Sequence, residues 1–287
     1  MEKKFYKAET NLSICYSIEK SKASCGVIVF LHGLASNMSR WSEFVEFTSL
    51  TRKWDIITID LRGHGLSSYR GDISMEKWCS DIIEILSQEG YKDAIIVGHC
   101  LGANIAANFG ILYPQKCRGL IFLEPIFSES IGGFLGILKN NKFILTIILK
   151  VIKTANSIGL FRRKIPLLSL REMDLKGREI IKKHGDPEAL KKIYGNPIHD
   201  LCYIPLYAYF QSLRELLKPF PEKIDSIPKL FIFSSGRLFG ESLDVKKILS
   251  KYKNSDVTII DSFHWIPTEK PAELRKTIEE WIKKHNS

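Results

Sequence analysis

Six short, continuous apolar runs constrain the fold more than any other feature of this chain. They are residues 26–31 (GVIVFL), 55–60 (DIITID), 94–97 (AIIV), 119–123 (GLIFL), 229–233 (KLFIF) and 257–260 (VTII). A run of this length without polar alternation suits a strand covered on both faces, the usual state of a parallel strand. Helical patterns separate the runs. Residues 75–89 carry Trp78, Ile82, Ile85 and Leu86 at helical spacing, residues 101–113 are rich in alanine, and a last helix is predicted over 272–285. Strands alternating with helices predict right-handed βαβ units, hence an α/β fold with a mostly parallel central sheet flanked by helices. Residues 127–220 break the alternation, with helical patches, scattered Pro and Gly and no buried strand. They read as an inserted helical cap over a core formed by residues 1–126 and 221–287. Pro219, Pro221 and Pro228 mark the return to that core.

The chemistry concentrates at residues 98–102, Gly-His-Cys-Leu-Gly, between a predicted strand and the alanine-rich helix. A chain turning sharply from strand to helix needs small residues around the turn, and Gly98 and Gly102 supply them. Cys100 then sits at a helix N-terminus, where free N–H groups and the helix dipole favour an anion. This reads Cys100 as a nucleophile. The remaining cysteines, Cys15, Cys25, Cys79, Cys117 and Cys202, show no CxxC pair and no zinc spacing. They read as small core hydrophobes and reduced thiols, with no metal and no cofactor expected. Residues 1–11 lack an apolar signal segment. The longest apolar run, 143–152, is interrupted by Lys150 and falls short of the roughly 20 residues of a membrane span. A cytoplasmic location is expected.

The motif order resembles the α/β-hydrolase family over nearly the whole core. His32-Gly33 after the first apolar run resembles that family's oxyanion loop. Asp60-Leu61-Arg62-Gly63-His64-Gly65-Leu66-Ser67 resembles its D-x-R-G-x-G-x-S turn, and Phe263-His264-Trp265-Ile266-Pro267 resembles the loop of its catalytic histidine. The resemblance implies His264 as general base and the backbone N–H groups of Leu34 and Leu101 as oxyanion donors. His32 and His64 are assigned to structural turns, and His99 is expected to point away from the nucleophile. His184, His199 and His285 have no partner pattern.

The triad acid has three candidates. Many members of the family carry Gly-x-x-Asp after the strand corresponding to 229–233, but Phe239 stands in that place, with Glu241 and Asp244 near it and off register. A second arrangement, resembling the haloalkane-dehalogenase branch, puts the acid after the strand that follows the nucleophile helix. Glu124 ends that strand, in Ile-Phe-Leu-Glu-Pro, and an acid ending an apolar strand needs a partner. Glu124 is therefore the first choice and Asp244 and Glu241 the alternatives. The dehalogenase reaction does not carry over, because Cys100 and Leu101 stand where that branch has Asp and a halide-binding Trp.

A cysteine nucleophile directs the substrate inference. A thiolate leaves a tetrahedral intermediate more easily than an alkoxide, so thioesters, strained lactones and enol esters suit it better than plain oxyesters. The expected activity is hydrolysis of an ester or thioester with a hydrophobic acyl group, through a Cys-His-Glu triad and an acyl-enzyme. An acyltransferase sharing the acyl-cysteine, or a non-catalytic binding protein of the same fold, are the alternatives. Charge bears on partners. The formal charge is +10, and residues 127–220 hold 16 Lys/Arg against 8 Asp/Glu. On a helix over 139–153, Lys139, Lys142, Lys150 and Lys153 share one side, with apolar residues making up most of the rest. The expected partners are an acyl substrate, free or presented on coenzyme A or an acidic carrier protein, and a peripheral contact with an anionic membrane surface. The apolar side is a candidate wall for an acyl tunnel. Nucleic acid is not expected, because the basic run lacks interleaved aromatics and any known motif.

Overall fold

The computed structural model describes residues 2–184, 197–224, 226–236 and 250–285. Among them, one sheet of eight strands runs in the order β1-β2-β4-β3-β5-β6-β7-β8. The strands are β1 (Glu2–Glu9), β2 (Leu12–Glu19), β3 (Val27–Leu31), β4 (Asp55–Ile59), β5 (Ala94–His99), β6 (Cys117–Leu123), β7 (Lys229–Ser234) and β8 (Ser255–Ile260). From β4 to β8 every neighbouring pair is parallel, whereas β1/β2 and β2/β4 are antiparallel. All six predicted strands are present, and the predicted helices appear as α2 (Met75–Gln88), α3 (Leu101–Leu112) and α10 (Pro271–His285). A short α1 (Ser42–Phe47) precedes α2, and α9 (Ile266–Glu269) precedes α10.

Strand alternation explains why the inner runs are apolar throughout, whereas β8 at the edge is half-buried with Ile259 exposed. Val27, Val29 and Leu31 face α2 and α3, packing with Trp78, Ile82 and Ile105. Ile28 and Phe30 face the other way, onto Trp41, Phe44, Ile278 and Trp281. A strand between two helical layers has no face for a polar side chain, and each buried Val, Leu or Ile contributes about 1.5–3 kcal/mol.

The hairpin β1–β2 was not expected. Its outer strand, EKKFYKAE, is exposed or half-buried along its length, so it carries no apolar run. A charged edge strand of this kind limits pairing with other chains.

The turn after β4 is held by buried charge. Asp60 accepts from the N–H groups of Met38 and Leu66 at 2.7 and 2.8 Å. Gly65 adopts φ +49°, and a Cβ there would overlap the Asp60 carboxyl. Arg62 grips Asp81 on α2 through two hydrogen bonds, at 2.9 and 2.7 Å, and also reaches Glu9 on β1. Arg62→Ala strips the buried Asp81 carboxylate of this cation. The expected cost is about 3–5 kcal/mol, read as a lower urea midpoint at unchanged slope.

Between β6 and β7 the described residues form α4 (Gly133–Asn140), α5 (Lys142–Ser157), α6 (Leu170–His184), α7 (Pro197–Asp200) and α8 (Leu206–Leu216). Leu138, Leu145, Leu149, Tyr207, Leu213 and Leu217 build a separate small core there. A buried ion pair of 2.5 Å joins Arg40, beside α1, to Asp174 on α6. The cysteines depart from expectation. Cys15 and Cys79 are core residues, but Cys25 and Cys202 are exposed and Cys117 is half-buried. Cys25 and Cys202 lie in loops, before β3 and after α7, where no apolar pattern holds them inside.

Candidate active site

Cys100 occupies the turn between β5 and α3 with φ +52° and ψ −113°, a conformation rarely adopted by a side-chain-bearing residue. Its N–H donates to the Leu123 carbonyl at 2.9 Å, and its own carbonyl accepts from Ala103 and Asn104 at 3.0 and 3.3 Å. The flanking glycines are sterically required. A Cβ on Gly98 would overlap the Gly102 carbonyl, and one on Gly102 would come within 2.5 Å of the Leu31 carbonyl oxygen.

Glu124 follows β6, the parallel neighbour of β5, so sheet topology alone puts it beside the Cys100 turn. It too has positive φ, +49°. Its N–H donates to Ile232 at 2.9 Å, and its Oε1 accepts from the Ser234 N–H on β7. The Asn104 amide brackets the Ile126 backbone, donating at 2.9 Å and accepting at 3.1 Å, which anchors the chain just beyond Glu124. The carboxylate's second oxygen, Oε2, lies 3.1 Å from His264 Nδ1, and both side chains are buried.

His264 lies in the loop after β8, held on two sides. The Phe263 N–H donates to Glu269 at 2.9 Å, and His99 Nε2 lies 3.3 Å from the His264 carbonyl. Burial disfavours a charged imidazole. Hydrogen bonds to Cys100 and Glu124, and the negative charges of both, outweigh it and raise the His264 pKa to about 10. The three residues therefore form one chain, Glu124 carboxylate to Nδ1–H and imidazolium to the Cys100 sulfur. Because the shift is upward, His264 keeps its proton through neutral pH and surrenders it as pH rises through about 10.

The loop after β3 completes the site. His32 is buried, and burial pushes its pKa well down, so it is neutral. Its Nε2 accepts from the Leu61 N–H at 3.0 Å, which leaves Nδ1–H to donate to the Gly33 carbonyl at 2.8 Å. In a trans peptide the N–H opposes the carbonyl, so the Leu34 N–H points away from His32. Gly33 lies against Cys100, with an added Cβ only 3.3 Å from the Cys100 Cβ. Leu101, the first residue of α3, has no carbonyl one turn earlier for its N–H to bond.

A cavity of about 80 Å³ brings Leu34, His99, Cys100 and His264 together. His99 was expected to point away from Cys100. Its ring packs 5.2 Å from that of His264, and burial keeps its pKa well below the ordinary value. Two further lining residues, His199 and Asp200 on α7, were not read from the sequence as site residues. Burial alone lifts the Asp200 carboxyl to about 7. No spacing pattern could have found them, because their position depends on how α7 packs. Glu241 and Asp244, the alternative acids, lie outside the described residues. Among the described residues no three His, Cys, Asp or Glu side chains converge as metal ligands, and no helix is long and apolar enough to cross a membrane.

Thiol chemistry gives a direct check on this environment. Burial pushes Cys15 and Cys117 up to about 12 and Cys79 higher still. At pH 7 limiting iodoacetamide is expected to label Cys100 ahead of the exposed Cys25 and Cys202, and to leave Cys15, Cys79 and Cys117 unlabelled. Peptide mass mapping reads the order.

Fold and site together define the class: the chain has the α/β-hydrolase fold, with polar site residues at the carboxyl ends of β3, β5, β6 and β8. Known proteins agree on that class. A family model for the alpha/beta hydrolase fold matches residues 26–150. The chain is 26% identical over 281 residues to the sn-1-specific diacylglycerol lipase ABHD11 of Mus musculus, covering 94% of this chain and 85% of that one. A stretch of 100 residues is 31% identical to a serine hydrolase-like protein of Danio rerio, but spans only 34% of this chain and 30% of the relative. Among solved structures, a thermophilic esterase from Thermogutta terrifontis superimposes with a TM-score of 0.71 at 18% identity, covering 100% of both chains. The chain is thus an enzyme with the α/β-hydrolase fold.

Proposed function

We propose that this enzyme hydrolyses ester or thioester bonds through a Cys100–His264–Glu124 triad and an acyl-Cys100 intermediate. The observation that carries the reading is the buried chain from Glu124 through His264 to Cys100, with its 3.1 Å carboxylate–imidazole contact. The Cys100 sulfur attacks the substrate carbonyl carbon, and the carbonyl oxygen takes the negative charge. The N–H groups of Leu34 and Leu101 are the donors assigned to that oxyanion. The His264 imidazolium gives its proton to the departing alcohol or thiol as the bond to the carbonyl breaks. Water then attacks the acyl-cysteine, His264 takes a proton from it, and the carbon–sulfur bond breaks to release the acid. Glu124 holds the imidazole by Nδ1 and balances its positive charge throughout.

The cavity lining is mixed: Leu34, Ala35, Leu168, Leu170, Met173 and Trp265 supply its apolar part for an acyl group, and Ser36, Arg40, His199 and Asp200 a polar part. Its volume of about 80 Å³ is far below the roughly 300–1,000 Å³ of ligand pockets. Leu168, Leu170 and Met173 belong to the segment between β6 and β7, which acts as a cap and moves aside for a longer chain. Turnover of a thioester and an oxyester with the same acyl group tests the reading. The expected kcat/KM for the thioester is higher by about tenfold or more. Equal or better turnover of the oxyester contradicts the preference for activated acyl groups.

A further inference from the structure

The unusual surface of the molecule is the outward face of α5. The helix buries Leu145 and Leu149 against Tyr207 and Leu213, yet exposes Phe143 (75%), Ile144 (42%), Ile147 (45%) and Val151 (63%). At 100° per residue these four share an arc of about 100°. Lys150 and Lys153 occupy the adjoining arc and are exposed. The apolar surface continues past the end of the helix through Ile158 (68%) and Leu160 (67%), followed by exposed Arg162, Arg163 and Lys164. Val151, Leu160 and Phe161 also edge a groove of about 500 Å³ whose charged lining residues are Arg70 and Arg162. Sequence adds the decisive property: between Ser130 and Arg171 there are seven Lys/Arg and no Asp or Glu.

Scattered surface hydrophobes need no explanation, but a contiguous stripe does. The stripe does not line the catalytic cavity, which has no wall from α5. Side-by-side apolar and cationic arcs are the pattern of a helix lying in the plane of a bilayer interface. A second copy is a poor occupant, because both chains would bring an excess of cations to the contact, Asp72 beside Lys153 at 3.4 Å being the acid paired there. A soluble acidic carrier would use the cations and leave the apolar arc in water. We infer that the outward face of α5, with Ile158, Leu160 and the basic run Arg162-Arg163-Lys164, docks the protein on an anionic lipid bilayer. The apolar arc enters the headgroup boundary while the cations meet lipid phosphates.

The docking is read without substrate, so it stands or falls apart from the proposed reaction. Sedimentation with vesicles of phosphatidylcholine containing phosphatidylglycerol is compared with pure phosphatidylcholine. Binding to the anionic vesicles is expected to be about tenfold or more tighter, and to weaken with salt. The double variant Ile147→Asp with Val151→Asp is expected to lose about tenfold or more of that binding, with unchanged circular dichroism and unchanged hydrolysis of a soluble activated ester. Lys150→Glu with Lys153→Glu, a surface change that leaves the apolar packing intact, is expected to weaken binding to anionic vesicles only. Equal binding of parent and both double variants overturns the inference. So does a concentration-dependent dimer in light scattering that the Ile147/Val151 variant converts to monomer, which would assign the stripe to self-association.

Discussion

Cys100→Ala is expected to abolish turnover of activated esters, with kcat lowered by about 10⁴-fold or more, while the protein stays folded. The size follows from the site. Without the sulfur no acyl-enzyme forms, and only the oxyanion donors and substrate binding remain to accelerate attack by water. The fold should tolerate the change because alanine is smaller than cysteine and has the same Cβ. The unusual backbone at φ +52° is imposed by Gly98, Gly102 and the Leu123 hydrogen bond rather than by the thiol. Steady-state kinetics with a nitrophenyl ester and a thermal melt separate loss of chemistry from loss of fold. A variant that retains turnover within an order of magnitude of the parent would remove Cys100 from the mechanism.

Glu124→Gln is the second large effect. The amide still accepts from the Ser234 N–H, so β6 and β7 stay joined. What disappears is the negative charge facing Nδ1. A triad acid exchanged for its amide costs roughly 10⁴ in kcat in the best-studied case, and a loss of about 10³–10⁴ is expected here. The sign of the pH effect follows from the forces on His264. Burial pushes its pKa down, while Cys100 and Glu124 push it up to about 10. In the parent, kcat/KM therefore falls as pH rises through about 10, where the acid for the leaving group is lost. Removing the Glu124 charge leaves burial less opposed, so the alkaline limb moves to lower pH. Asp244→Asn and Glu241→Gln are expected to leave both rate and pH profile unchanged. If Asp244→Asn alone silenced the enzyme, Glu124 would be a structural ligand of His264.

How much of this was legible in sequence depends on which force placed each residue. Five of the six apolar runs became strands buried between two helical layers, where a strand admits no alternation, whereas β8, at the sheet edge, is half-buried with Ile259 exposed. The β1–β2 hairpin left no comparable mark: as a charged edge, it is stabilised by pairing rather than by burial of a continuous run. Cys100 was legible because the turn excludes every side chain at positions 98 and 102. Glu124 was legible because a carboxylate ending a buried strand is costly unless something meets it. His99, His199 and Asp200 were not, since their places in the cavity follow from tertiary packing with no local pattern. The same holds for α5. Its lysine arc was visible, but which part of its apolar side would be buried was decided by contacts with Tyr207 and Leu213, far along the chain.

The central claim is that an acyl group passes through the Cys100 sulfur. Intact-mass analysis of the protein, quenched with acid shortly after mixing with an activated ester, tests it directly. The mechanism predicts a mass increase of one acyl group, mapped to the peptide containing Cys100 and absent from Cys100→Ala. Turnover with no adduct on that peptide, or an equal adduct on Cys100→Ala, would contradict it.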